Sequence, residues 1–214
     1  YLLKGLLNAG MTELIPVLGF DGDAVEKLVR DVCQEHIKIL PVVNPRYEQT
    51  NNLGSLICAR PYVDGESFLI CNGDLVINAN IIKDLIETHD QSAIAIDDSK
   101  RNALIDSPKV VVADRRIYDL GRHIPFEKAG GYAIGVYKLG QEISPAFFET
   151  AEKIFSNDQN AGFHDPLIPL FKDYPVYLCS TKMRRWMDID KKEDIGVACN
   201  LLNMIRVEEE GELR

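Results

Sequence analysis

The sequence predicts a single α/β domain in three layers, α/β/α, with helices on both faces of a mixed, mostly parallel sheet. Helix-period and strand-period apolar segments alternate along the first half of the chain, which is the rhythm of βαβ units. The run Phe68-Leu69-Ile70-Cys71 is apolar without interruption, as a strand covered on both faces would be. The 214 residues suffice for one sizeable core, and no repeat, low-complexity tract or interdomain linker divides them.

In order, Tyr1 to Ala9 is expected to be helical and to stop at Gly10, a good C′ residue. Leu14 to Leu18 is a short buried strand. Asp23 to Cys33 is an amphipathic helix with Val25, Leu28, Val29 and Val32 on one face and Asp23 with Glu26 as a capping box. Ile37 to Val43 is the next strand, Asn44 to Asn52 a polar loop, and Leu53 to Arg60 a helix. After the strand Phe68–Cys71, Asn78 caps a helix reaching about His89, and Ser92 to Ile96 forms another strand. The texture then changes. Pro108 to Ala113 and Arg116 to Leu120 flank Asp114-Arg115 as a hairpin, and Gly130-Gly131 introduces a strand over Tyr132 to Leu139. Ser144-Pro145 opens a helix with Phe147, Phe148, Ala151 and Ile154 inward. A shorter helix starts near Asp165-Pro166, and Val176 to Cys179 is a strand. The last helix is expected from Asp190, with Glu193 completing a capping box, and its core stripe is Ile195, Cys199, Leu202 and Ile205. The acidic tail from Glu208 to Arg214 is expected to fray.

The formal net charge is −9, which argues against a nucleic-acid partner, since phosphate backbones are bound by basic surfaces. It leaves room for a nucleotide substrate in a small site. No apolar run approaches the ~20 residues of a membrane span, and no signal peptide is visible. The five cysteines are odd in number and lack metal-ligand spacing. They read as reduced core residues of a cytoplasmic protein. The four histidines lack metal-site spacing.

The chemistry is concentrated in acids at strand ends. Asn72-Gly73-Asp74 follows the apolar strand, placing a carboxylate at the carboxyl edge of a sheet, where open α/β sheets bind ligands. A second acidic cluster, Asp188 and Asp190, ends the stretch beginning at Trp186. Two carboxylates brought together there suit a hard divalent cation holding phosphates. The structural alternatives are a turn at Gly73-Asp74 and, for Asp190, an N-cap worth ~1 kcal/mol to the last helix.

The order of these pieces resembles the nucleotidyltransferase superfamily that activates phosphorylated sugars or alcohols, and within it the bacterial choline-phosphate cytidylyltransferase type. The resemblance rests on Asn44-Pro45-Arg46-Tyr47, Thr50-Asn51-Asn52-Leu53-Gly54-Ser55-Leu56, Asn72-Gly73-Asp74, Asp97-Asp98-Ser99, Gly131 to Tyr137, and Trp186-Met187-Asp188-Ile189-Asp190 with Glu193-Asp194. It implies a Rossmann-like nucleotidyltransferase fold over residues 1–214 and transfer of a cytidylyl group from CTP to a phosphorylated alcohol: phosphocholine, phosphoethanolamine or an aminophosphonate. Mg2+ is the implied cofactor, with Asp74 and Asp188 as catalytic residues and Asp74, Asp188 and Asp190 as metal ligands. Thr50, Asn51, Asn52, Ser55 and Gly73 would bind the nucleotide, the amides offering donor and acceptor together to a base edge. Asp97, Asp98, Tyr132, Asp165 and Trp186 would bind the acceptor, with Tyr137 and Phe163 as further aromatic faces for a quaternary ammonium. The family's opening strand and glycine-rich triphosphate loop would lie upstream of Tyr1. A homodimer is common among similar enzymes. The competing expectations are a sugar-1-phosphate nucleotidyltransferase using UTP, GTP or dTTP, and a non-catalytic nucleotide-binding domain.

Overall fold

The computed structural model describes residues 1–99 and 107–212. The elements are α1 (Leu2–Asn8), β1 (Glu13–Leu14), β2 (Val17–Leu18), α2 (Gly22–Cys33), β3 (Lys38–Ile39), β4 (Val42–Val43), α3 (Asn52–Val63), β5 (Phe68–Cys71), β6 (Leu75–Ile77), α4 (Ala79–Glu87), β7 (Ala93–Asp97), β8 (Lys109–Ala113), β9 (Arg116–Gly121), β10 (Gly131–Leu139), α5 (Ser144–Asn157), β11 (Tyr177–Ser180), β12 (Trp186–Asp188) and α6 (Asp194–Glu212). A 3-10 helix covers Phe126–Lys128 and another Asp165–Leu170.

Each of the two expected N-terminal strands is split at a proline, because Pro16 and Pro41 bring no N–H to the ladder. Pairing carries on around both. β1 runs parallel to β3 and β2 to β4, and the Val42 N–H still reaches the Pro16 carbonyl at 3.0 Å.

The main sheet has six strands in the order β5-β10-β7-β11-β9-β8. It is mixed as expected, with a smaller parallel share. β7 and β11 are parallel, while β10 is antiparallel to β5, β7 and β8, and β9 is antiparallel to β8 and β11. The reason is the β8–β9 hairpin. It brings β10 back between β5 and β7 without the helical crossover a parallel neighbour requires. Gly135 stands at the register shift in β10 with φ +81°, and a Cβ there would lie 2.7 Å from Asn72 Nδ2. A side chain would be both strained and obstructed.

Strand β7 separates two apolar layers. Ile94 and Ile96 join Leu53, Tyr137, Phe147, Phe148 and Phe163 on one face. Ala93 and Ala95 join Leu6, Ile81, Ile82, Leu85, Ile134 and Trp186 on the other. The period-2 alternation of a strand buried on both faces thus produces the three layers.

Four expectations for the helices are corrected. α2 buries Val29 and Cys33 against Ile37, one turn apart on a narrow stripe. Val25 and Leu28 lie off that stripe and are 41% and 59% exposed. The Asp23/Glu26 capping box does not form, because α2 starts at Gly22 and Glu26 pairs with Arg30. α6 starts at Asp194 rather than Asp190. The Ile189 N–H is committed to the Asp74 carbonyl, and the Asp194 carboxylate accepts from the N–H groups of Asp190 and Lys191. Finally, the tail is helical through Glu212. The Glu209 carboxylate accepts from the Ala79 N–H and from the Tyr1 hydroxyl, while Glu208 takes Arg185 at 2.6 Å. Leu213 and Arg214, also expected to fray, lie outside the described residues. All five cysteines are free, and Cys33 is buried as expected, but Cys199 is exposed because α6 buries Ala198 and Ile205 instead. Among the described residues no helix is long and apolar enough to cross a membrane.

Candidate functional site

The carboxyl ends of β5, β7 and β11 and the start of β10 share one edge of the sheet, as their register requires. Every acid singled out at a strand end reaches this edge or the short ribbon beside it. That ribbon pairs β12 with β6, setting Asp188 opposite Leu75 and Trp186 opposite Ile77. The Ile189 N–H closes onto the Asp74 carbonyl at 3.0 Å. Asp74, Asp188 and Asp190 are thereby gathered from segments more than a hundred residues apart in sequence.

Electrostatics confirms the crowding. Burial, then the charges of Asp74 and Asp190, push the Asp188 carboxyl up to about 6. Burial also raises Asp74; its own backbone N–H opposes the rise and Asp190 adds to it. Asp188 Oδ1 is buried with no hydrogen-bond partner among the described residues. Among the described residues no group of three or more His, Cys, Asp or Glu side chains is arranged to hold a metal ion. The donor set is of another kind: hard carboxylate oxygens, one of them orphaned. That fits a magnesium ion held by one or two carboxylates and completed by water and substrate phosphates. The Gly73 backbone beside them is open, with nothing within 4 Å of where a Cβ would stand.

A second polar group lies on the face of the sheet that carries Trp186. Gly121, Lys109, Tyr132 and Asp97 are register partners across β9, β8, β10 and β7. The Thr181 N–H extends the row by bonding the Ile96 carbonyl at 2.9 Å. Asp97 is buried, and its carboxylate accepts from Trp186 Nε1 at 3.0 Å and from the Ser99 N–H at 3.0 Å. Among the described residues the Tyr132 hydroxyl and Thr181 Oγ1 are buried without partners. Asp98 turns to the opposite face, where it accepts from Ser180. The adjacent acids thus point apart, as neighbours on a strand do.

The expected aromatic cage is not assembled. Tyr137 and Phe163 pack edge to face at 4.9 Å inside the layer beneath the sheet, whereas Trp186 lies in the layer above. Asp165 sits with them below, accepting from the Gly162 N–H at 2.7 Å.

Most of the amide groups of the loop are committed within the fold. Asn51 caps α3 through the Asn52 N–H and donates to the Asn160 carbonyl. Asn52 Oδ1 accepts from the Phe163 N–H at 2.9 Å, leaving its Nδ2 outside that bond on an exposed residue. Buried Asn44 donates to both Thr50 Oγ1 and Ser55 Oγ and accepts from the Arg46 N–H. Sequence reasoning assigned Thr181 no role. Its place just beyond a strand ending at the same edge as Asp97 was the available signal.

No protein-family model matches the chain. It is 23% identical over 221 residues to a CTP:phosphoglutamine cytidylyltransferase of Campylobacter jejuni, covering 92% of this chain and 85% of that one. It is 34% identical over 93 residues to a CMP-5′-(3-aminopropyl)phosphonate synthase of Streptomyces rubellomurinus, 44% of this chain and 14% of that protein. Its fold matches the inositol-1-phosphate CTP transferase of T. maritima with a TM-score of 0.77 at 21% identity, over 96% and 82% of the two chains. The CTP:phosphocholine cytidylyltransferase of Streptococcus pneumoniae follows at 0.70 and 15%, over 96% and 83%. A UDP-glucose pyrophosphorylase of Acinetobacter reaches 0.72 at 15%, over 100% and 87%. The fold is that of the nucleotidyltransferases.

Proposed function

We propose that this chain, which has the nucleotidyltransferase fold and CTP-dependent cytidylyltransferases among its relatives, transfers the cytidylyl group of CTP to a small phosphorylated or phosphonylated acceptor. The observation that carries the reading is the convergence of Asp74, Asp188 and Asp190 at one sheet edge, with an orphaned carboxylate oxygen on Asp188. Three mutually repelling acids are costly unless a cation joins them.

In the reaction, an acceptor phosphate oxygen attacks the α-phosphorus of CTP in line. The new P–O bond forms as the bond to the bridging oxygen breaks, and pyrophosphate leaves with that electron pair. The acceptor oxygen is already ionised, so no strong base is required, and catalysis is mainly positioning and charge neutralisation. Asp74 and Asp188 would hold Mg2+, with Asp190 beside them; the ion supplies charge stabilisation at the phosphate oxygens. Trp186, held by Asp97, fixes the ribbon that presents Asp188. The exposed Asn52 Nδ2 supports base reading, with Asn51, Thr50 and Ser55 supporting the loop from which it acts.

The test is pyrophosphate release with Mg2+, varying the triphosphate and the acceptor in turn. Release with CTP and an amino-alcohol phosphate, a phosphonate or a phosphorylated amide supports the reading. Release with UTP and a sugar phosphate alone moves the protein to the sugar-1-phosphate nucleotidyltransferases, whose fold it equally shares.

A further inference from the structure

The row on the Trp186 face of the sheet contains an imbalance that the nucleotidyl-transfer chemistry does not use. Tyr132 and Thr181 stand on either side of Asp97 in register, one on β10 and one just past β11. Both residues are buried, 2% and 0% exposed, and both hydroxyls lack a hydrogen-bond partner among the described residues. Between them the Asp97 carboxylate already accepts from Trp186 and Ser99. Trp186 is also two residues before Asp188 on β12, so the row adjoins the acids at which the phosphates would meet.

Buried hydroxyls without partners cost stability, and native structures keep few of them. Two such groups flanking one carboxylate, beside a candidate active site, are accounted for if a ligand supplies their partners. A hydroxyl both donates and accepts. It is satisfied by a head group bearing N–H or O–H bonds. A trimethylated ammonium offers neither donor nor acceptor and depends on aromatic faces, and of the four rings that would form a cage only Tyr132 and Trp186 lie on this face, while Tyr137 and Phe163 pack in the layer beneath the sheet.

We propose that Tyr132 and Thr181 select the acceptor, and that they favour a head group with hydrogen-bonding atoms, such as a primary ammonium, a carboxamide or a hydroxyl, over a fully methylated ammonium. The inference rests on the reading of this edge as the acceptor site of a cytidylyltransferase. A site built to hydrogen-bond its ligand rejects the analogue that cannot reciprocate far more strongly than it rejects a change of size.

The experiment compares 2-aminoethyl phosphate with its N-trimethyl analogue, phosphocholine. Both carry the same charges and the same two-carbon spacer. Binding is measured by calorimetry on the protein with Mg2+ and a non-hydrolysable CTP analogue, and pyrophosphate release is followed in parallel with CTP. The expected result is at least about tenfold tighter binding of the primary amine. Tyr132→Phe and Thr181→Val should each shrink that ratio at least about threefold by weakening the amine and leaving phosphocholine unchanged, without lowering the melting temperature, since each removes an unpaired buried hydroxyl. Equal or tighter binding of phosphocholine overturns the inference, as does failure of the primary amine to bind. A preference that survives both substitutions overturns the assignment to these hydroxyls. Loss of pyrophosphate release with every triphosphate, alongside an intact binding preference, would instead retire the enzymatic reading and leave the selectivity of these hydroxyls standing.

Discussion

The acids around Asp188 and the amides around Asn44 are both polar clusters at the ends of strands, and they differ in saturation. Asn44 is buried, and its amide makes three hydrogen bonds, binding Thr50, Ser55 and the Arg46 backbone into one loop. Asp188 is half-buried among like charges with an oxygen that bonds nothing. A polar network that satisfies itself stabilises architecture, whereas one left incomplete is poised for a ligand. The two clusters should therefore respond to mutation with opposite signs, stability lost at one and chemistry lost at the other.

The largest effect is expected at Asp74. Asp74→Ala should lower kcat by about a thousandfold or more while the circular dichroism spectrum holds and the melting temperature does not fall, a loss of the size seen when a centre of transition-state charge stabilisation is removed. Turnover within tenfold of wild type at saturating Mg2+ would erase the distinction between the clusters.

Asp188→Asn sharpens the comparison further. The carboxyl sits near 6 in the fold, above its ordinary 3.8. The folded state thus holds the proton more tightly than the unfolded chain, and wild-type stability falls as pH rises from about 4 to about 6. The amide escapes that penalty. Activity should drop about a hundredfold, while the melting temperature at pH 7 rises by about 2–4 °C per kcal/mol relieved. The gain should vanish in melts below about pH 4. A variant less stable than wild type at pH 7 would show that Asp188 is structural.

Asn44→Ala should do the reverse. It strands the Arg46 N–H and removes the donor to the Thr50 and Ser55 hydroxyls, of which Thr50 still donates to the Arg46 carbonyl, at about 1–3 kcal/mol in a urea titration, with kcat of the folded fraction within about threefold of wild type. The smallest effect belongs to Glu209, which anchors the helical tail at the start of α4. Glu209→Gln keeps a hydrogen bond and loses the favourable charge at a helix N-terminus, about 0.3–1 kcal/mol, with no change in kcat.

Strand-end logic applied to Phe68–Cys71 made Asp74 legible, and the same logic covered Asp97. The N-cap reading of Asp190 put Asp188 first among the downstream acids, but the start of the last helix was not legible: helix-start rules placed it at Asp190, and nothing local revealed that the Ile189 N–H is taken by Asp74, 115 residues away in the chain, or that α6 begins at Asp194. The aromatic cage failed for a local reason: Tyr132 and Tyr137 lie five residues apart on one strand, and the pleat alone places them on opposite faces, with Ile134 and Val136 on one side and Ala133 and Leu139 beside Tyr137 on the other.

The sequence by itself determined the alternation of elements, the apolar faces and the positions at which chains of carboxylates and amides leave the sheet, because those follow from periods of 2 and 3.6 and from caps and turns within a few residues. Tertiary structure alone decided which carboxylates meet, which polar groups are saturated and which hydroxyls remain unpaired. Those outcomes depend on register between strands distant in sequence, and on burial, which turns an ordinary polar side chain into either a joint of the fold or an unfilled demand for a ligand.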